Sequence, residues 1–198
     1  MTSPSPPTAT SNTGVGINFK WLSAELTFNV PALNDYDPSL GKTDSHGFGL
    51  GYTGRRLWGR AFWDNSEGYY LSDPQRWVAG WKAGDAPVVR EDLSSNTYLL
   101  SLNYALSGKR RFSENAAMFQ MERQKKSAGT FVTGISAWYS SVSADSSVIG
   151  PALADTFHGA SGFTGVGRFL PSATMGYAHT FAFRKKGFIH TSVLPGLA

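Results

Sequence analysis

Between residues 22 and 30 apolar and polar positions alternate without a break. Leu22, Ala24, Leu26, Phe28 and Val30 fall on one side, and Ser23, Glu25, Thr27 and Asn29 on the other. A repeat of two is the signature of an extended strand whose two faces meet different surroundings. Residues 97–106 repeat it, with Tyr98, Leu100, Leu102, Tyr104 and Leu106 opposed by Thr97, Ser101 and Asn103. Phe48, Leu50 and Tyr52 face away from Gly47, Gly49 and Gly51. Phe131, Ile135, Ala137 and Tyr139 alternate with smaller or polar neighbours, Val132 and Trp138 excepted. Weaker alternation predicts strands over residues 15–19, 57–64, 112–121, 172–181 and 188–194. Nowhere does an apolar helical period persist. The pattern predicts an all-β fold, an antiparallel meander of about eight to ten strands.

The connections add sidedness. Four are read as short and basic: Lys20 with Trp21, Arg55-Arg56, Lys109-Arg110-Arg111 and Arg184-Lys185-Lys186, together nine of the 18 basic residues. Aromatic residues bracket each, from Phe19 and Trp21 to Phe183 and Phe188. Two other connections, residues 31–45 and 65–92, are long and polar. Short turns at one rim, long loops at the other and aromatic girdles between them characterise a transmembrane β-barrel of the bacterial outer membrane. The clearest strand has nine residues, within the ~9–11 that span a bilayer at barrel tilt. A soluble, lipocalin-like ligand-binding barrel also alternates. The membrane reading is preferred because the polar faces would otherwise form a wet core. One count does not close. Three predicted strands, residues 112–121, 130–143 and 163–181, separate the last two basic turns, and turns on one side need an even number. Either residues 163–181 split at Pro171, or residues 140–149 hold another strand.

Composition narrows the classes. Charged residues are 16% of the 198, the net charge is +4, and glycine occurs 22 times. The absence of cysteine excludes disulfides, cysteine-zinc sites and thiol catalysis. Nucleic acid is not an expected partner, because the basic residues sit in turns rather than along one stripe. Residues 1–14 (MTSPSPPTATSNTG) lack the basic and apolar regions of a signal peptide and read as a disordered Pro/Ser/Thr segment. Residues 15–198 read as the barrel domain, incomplete at both ends, and residues 191–198 look like a strand without a stop. The chain therefore reads as a fragment of a longer protein or as one begun downstream of its signal.

Chemistry-bearing patterns are few. Gly49-Leu-Gly51-Tyr-Thr-Gly54 matches the dinucleotide fingerprint in letters, but that motif must open a helix, and here Arg55-Arg56 and another strand follow. Bare glycines that ease curvature are the better reading. His46, His158, His179 and His190 lack metal-ligand spacing. Ser161 follows His158 closely, which suggests a hydrolase or acyltransferase nucleophile, yet supplies neither an oriented base nor an oxyanion hole. The best candidate is the run Glu122, Arg123, Gln124, Lys125, Lys126 and Ser127. It is either a solvated hairpin loop or a cluster folded inward, pairing Arg123 and Lys125 with a carboxylate such as Glu25 or Glu114. No catalytic residue, metal or cofactor is assigned, and membrane lipid and lipopolysaccharide phosphate are the expected partners.

Several strings follow one another in a familiar order. They are Phe19-Lys-Trp-Leu22, Val30-Pro-Ala-Leu-Asn34, Gly41-Lys-Thr43, Gly68-Tyr-Tyr-Leu71, Glu122-Arg-Gln-Lys-Lys-Ser-Ala-Gly129 and Asp145-Ser-Ser-Val-Ile149. From about Gly14 to the end the chain resembles an uncharacterised outer-membrane family of the Bacteroidota, domain of unknown function 4421. The resemblance implies a β-barrel exported to the outer membrane. It supplies no activity. Members of that family look longer, with a signal sequence and further strands. The functional expectation is an outer-membrane protein with a structural, binding or passive-transport role.

Overall fold

The computed structural model describes residues 12–30, 42–71, 73–78, 80–106, 112–119, 123–148, 162–183 and 187–198. Alternation does produce strands: β1 (Asn12–Phe19), β2 (Leu22–Asn29), β3 (Asp44–Thr53), β4 (Leu57–Tyr70), β5 (Val89–Ala105), β6 (Ala128–Ala144), β7 (Gly165–Phe183) and β8 (Gly187–Val193). Each pairs antiparallel with the next, so the sheet is a meander in chain order. A two-residue β9 (Gly196–Leu197) also pairs with β7, beyond the end of β8. Pro195 interrupts this edge, and its carbonyl still accepts from the Met175 amide at 3.1 Å. Among the described residues no pairing joins β1 to β8, so the sheet is open.

Several boundaries differ from the sequence expectation. β1 begins at Asn12, inside the Pro/Ser/Thr segment, whose residues 1–11 lie outside the described part. The connection expected over residues 65–92 shrinks to 71–88, because β4 and β5 extend into it and α1 (Pro74–Trp77) occupies part of the rest. β4 carries a bulge between Glu67 and Tyr69. Gly68 there has φ +79°, and a Cβ would run into the Lys42 backbone carbonyl, so the position admits glycine alone without strain.

Of the strand expected over residues 112–121, the described part, residues 112–119, is not a strand. The Ser113 hydroxyl accepts from the Ala116 amide at 3.2 Å and its carbonyl from the Ala117 amide at 3.3 Å, which starts a π-helical turn, Asn115–Phe119. A side-chain acceptor of this kind satisfies an orphan amide at a helix start and competes with extension. The strand parity closes as a result. Only β6 and β7 lie between the β5–β6 and β7–β8 connections, so the antiparallel order puts the ends of β5, β6, β7 and β8 that these connections join at the same rim as Lys20 and Arg55. The third basic segment lies in no short turn, however, since the connection from β5 to β6 runs from 106 to 127.

β7 crosses Pro171 without splitting, paired to Ala137. The Met175 amide points to the β8–β9 side, and Pro171, four residues earlier, points the same way beyond the last β9 partner. The missing N–H therefore falls on an unpaired edge and costs the ladder nothing.

The buried apolar residues lie at the basic rim, while Ser45 and Asn65 are buried towards the opposite one. Phe112, 3% exposed, descends from the connection onto Ala105, Ala128, Val132 and Ala178, with Trp58 alongside. Thr130 and Thr180 are buried on the same face, and Thr180 shares a 3.0 Å hydrogen bond with His190. Val132 broke the alternation in sequence because it faces this cap rather than water.

Candidate functional site

Cross-strand partners share a face, so the register sorts the sheet into two surfaces. One is apolar and exposed. Phe48, Trp63, Tyr98, Tyr139 and Phe169 form a single row across β3 to β7, each paired directly with the next. Trp63 stacks on Tyr98 with centroids 6.5 Å apart, and Tyr98 lies 6.1 Å from Tyr139. Nearer the basic rim come Tyr52, Tyr104, Phe131 and Tyr177, with Phe131 and Tyr177 edge-to-face at 5.2 Å. Aliphatic residues fill the band between, and Leu100 and Ile135 are 61% and 64% exposed. Small Ala61 and Ala137 leave a shallow apolar hollow of about 350 Å³ below the aromatic row.

The second surface carries the polar groups. Ser23, Glu25 and Thr27 of β2 lie above Gly51, Gly49 and Gly47 of β3. A Cβ at Gly49 would stand 2.5 Å from the Glu25 carboxylate, and one at Gly47 would stand 2.5 Å from the Thr27 hydroxyl. The bare β3 thus lets Glu25 cross it to form an ion pair with Arg60 on β4. The Arg60 guanidinium also sits 5.2 Å from the Phe62 ring. Phe62 begins an apolar row on this face, continued by Leu99, Trp138 and Leu170, which accounts for Trp138 breaking the alternation. Beside the ion pair is a polar hollow of about 320 Å³, lined among others by Asn18, Ser23, Trp58, Ser101 and Asn103.

A second polar network ties the far rim. Arg90 donates to both oxygens of Asp92, at 2.9 and 3.1 Å, and to the Val148 carbonyl at 2.9 Å. Asp92 accepts from the Ser146 hydroxyl at 2.7 Å and from its amide at 3.2 Å. The string that starts at Asp145 is therefore the fixed base of the β6–β7 connection, sewn to the start of β5. Gly68 holds the β4 bulge against Lys42 in a similar structural role.

The run singled out in sequence divides. Glu122 lies outside the described residues. Arg123, Lys125 and Lys126 are exposed, and neither Arg123 nor Lys125 forms an ion pair with a described carboxylate. Glu25 is engaged by Arg60, so the inward pairing considered for it does not form. Glu114 is half-buried, and burial pushes its carboxyl above the ordinary range. Gln124 and Ser127 do the structural work: Gln124 accepts from the Ser113 amide at 3.2 Å and donates to the Lys126 carbonyl at 2.9 Å, and Ser127 accepts from the Ala182 amide at 3.0 Å.

The histidines do not converge. His46 sits on the apolar face, 5.3 Å from Trp63. His179 neighbours Tyr177, and His190 neighbours Thr180 and Phe112. His158 and Ser161 lie outside the described residues. Among those described, no three His, Asp or Glu side chains gather as metal ligands. The fingerprint-like glycines occupy β3 and the turn after it, with strand β4 next. Sequence reasoning missed the Glu25–Arg60 pair, whose members are 35 residues apart. The available signal was glycine at every second position of β3.

A family model described as domain of unknown function (DUF4421) matches residues 6–198. No curated protein and no solved structure matches the chain.

Proposed function

Because the chain belongs to the DUF4421 family, whose function carries no assignment, its role has to be read from its own two faces, and we propose that it is an outer-membrane β-barrel protein with a binding role. The observation that carries this reading is an exposed aliphatic band bounded on one side by the aromatic row and, on β6 and β7, on the other by the paired Phe131 and Tyr177. Phe131 and Tyr139 are eight residues apart on β6, as are Phe169 and Tyr177 on β7. Eight residues extend about 27 Å along a strand, or roughly 20 Å across a bilayer at barrel tilt, close to the ~25 Å apolar band of such proteins. Exposing residues such as Leu100 and Ile135 to water would be unfavourable by about 25 cal/mol per Å² of apolar surface. Lipid removes that cost.

The polar face then turns inward, with the Glu25–Arg60 pair and the Phe112 cap on it. A soluble barrel of lipocalin type reverses this arrangement, with its apolar face inside. The cap at the basic rim favours binding over passive flow, since Phe112 packs onto the inner face there, against Ala105, Ala128, Val132 and Ala178. In this reading β1 and β8, or strands of a longer chain, complete the closure. The resemblance to proteins of the Bacteroidota points to a diderm cell, with lipid and lipopolysaccharide as neighbours.

Cell fractionation and electrophoresis test it. The protein should pellet with outer membrane and run faster unboiled than boiled. Single cysteines at Lys20 and Arg55 should resist an impermeant thiol reagent on intact cells, while one at Lys82, in the 71–88 connection, should label. A protein that stays soluble without detergent rejects the proposal.

A further inference from the structure

The polar hollow beside Glu25 and Arg60 has a chemistry that selects its occupant. About 320 Å³ lies at the lower end of the range for small-molecule sites. Its charged groups are one carboxylate and one guanidinium, already paired with each other. An anion finds the Arg60 charge matched, and a cation finds that of Glu25 matched. A divalent metal would find one carboxylate where it needs several oxygen ligands. A purely apolar guest would strip water from Asn18, Ser23, Ser101 and Asn103 without replacing their hydrogen bonds.

What these groups offer together is closely spaced donors and acceptors. Carboxylate oxygens accept, guanidinium N–H groups donate, and the amides and hydroxyls do both. Trp58 adds an aromatic wall. A ring bearing several hydroxyls and an apolar C–H surface meets all of these features at once.

We propose that this hollow binds a neutral saccharide unit, held by Glu25, Arg60, Asn18 and Asn103 against Trp58. The inference rests on the polar face being open to water, as in the reading above, and on no other part of it.

The test uses the full chain folded in an amine-oxide detergent, which carries no sugar headgroup. Maltose, cellobiose, lactose and, as a charged control, inorganic phosphate are titrated by calorimetry. At least one disaccharide should bind at about 10 mM or below, and phosphate should not. Ser101→Leu and Asn103→Leu, which turn the wall apolar from two strand positions, should each weaken binding by about tenfold or more. Glu25→Gln, which frees the Arg60 charge, should reduce disaccharide binding and admit phosphate. Failure of all three disaccharides on protein that migrates as folded overturns the site and leaves the membrane reading intact. Binding unchanged in both leucine variants also overturns it. Disaccharide binding by a protein that needs no detergent keeps the site and removes the membrane reading.

Discussion

Glu25 and Arg60 meet across an intervening strand: one is on β2, the other on β4, and Gly49 of β3 lies under the carboxylate. Neighbouring strands are about 4.8 Å apart, so the pair spans roughly 10 Å of sheet. Only a residue without a side chain leaves that path open. The three atoms nearest a Cβ at Gly49 all belong to Glu25.

The penalty for Gly49→Ala should therefore depend on Glu25. In the native chain the change should displace Glu25 and lose the ion pair, which is half-exposed and contributes about 0.2–1 kcal/mol. In a Glu25→Ala background the same change should be neutral, or stabilising by up to about 1 kcal/mol as the strand loses a flexible glycine. Urea midpoints of the four proteins give the coupling. Equal effects of Gly49→Ala in both backgrounds would contradict the crossing geometry.

Adjacent residues on β6 test the assignment of faces. Ile135→Arg should block assembly or cost about 2–4 kcal/mol, the penalty of a charge placed against lipid. Ser136→Arg puts the same charge on the polar face and loses a 2.6 Å hydrogen bond to Ser172, worth about 1 kcal/mol. Folding yield into vesicles distinguishes them, and equal tolerance would refute the orientation.

The cap at the basic rim should depend on Phe112 far more than on the charged run beside it. Phe112→Ala empties the centre of the buried cluster and should cost about 3–5 kcal/mol. Arg123→Ala and Lys125→Ala remove exposed side chains and should change stability by less than about 0.5 kcal/mol. Trypsin should cut the connection faster only in the Phe112 variant. A large loss in either cation variant would restore the inward cluster.

Stability should also depend on pH through Glu114. Burial raises its folded-state pKa above the usual carboxylate value, so the folded protein binds this proton more tightly than the unfolded chain does. The contribution of this group to stability is then greatest at low pH, falls as pH rises through the raised value and levels above it. Glu114→Gln should remove that part of the decline. The difference in denaturation midpoint between the two proteins should be larger at about pH 8 than at about pH 5. The opposite trend would mean that the carboxylate is stabilised where it sits.

The sequence by itself determined the strands and their faces. Alternation over residues 22–30, 97–106 and 131–139 is written into the pleat, which turns every second side chain to the same side, and β2, β5 and β6 form there. The strand count between the last two basic segments did not close in the sequence, and the strand order of the folded sheet closed it. The strand expected over residues 112–121 fails at its described part, 112–119, because Phe112, Ala116 and Met118 alternate as a strand would, while the hydrogen bonds of Ser113 start a helical turn instead. Only the tertiary structure decided the rest. Register brings Glu25 over Gly49 to Arg60, ties Arg90 and Asp92 to Ser146, and lays Phe112 on Val132. Each of these contacts joins segments far apart in the chain, and pairing register is a property of the assembled sheet. No window of neighbouring residues encodes it.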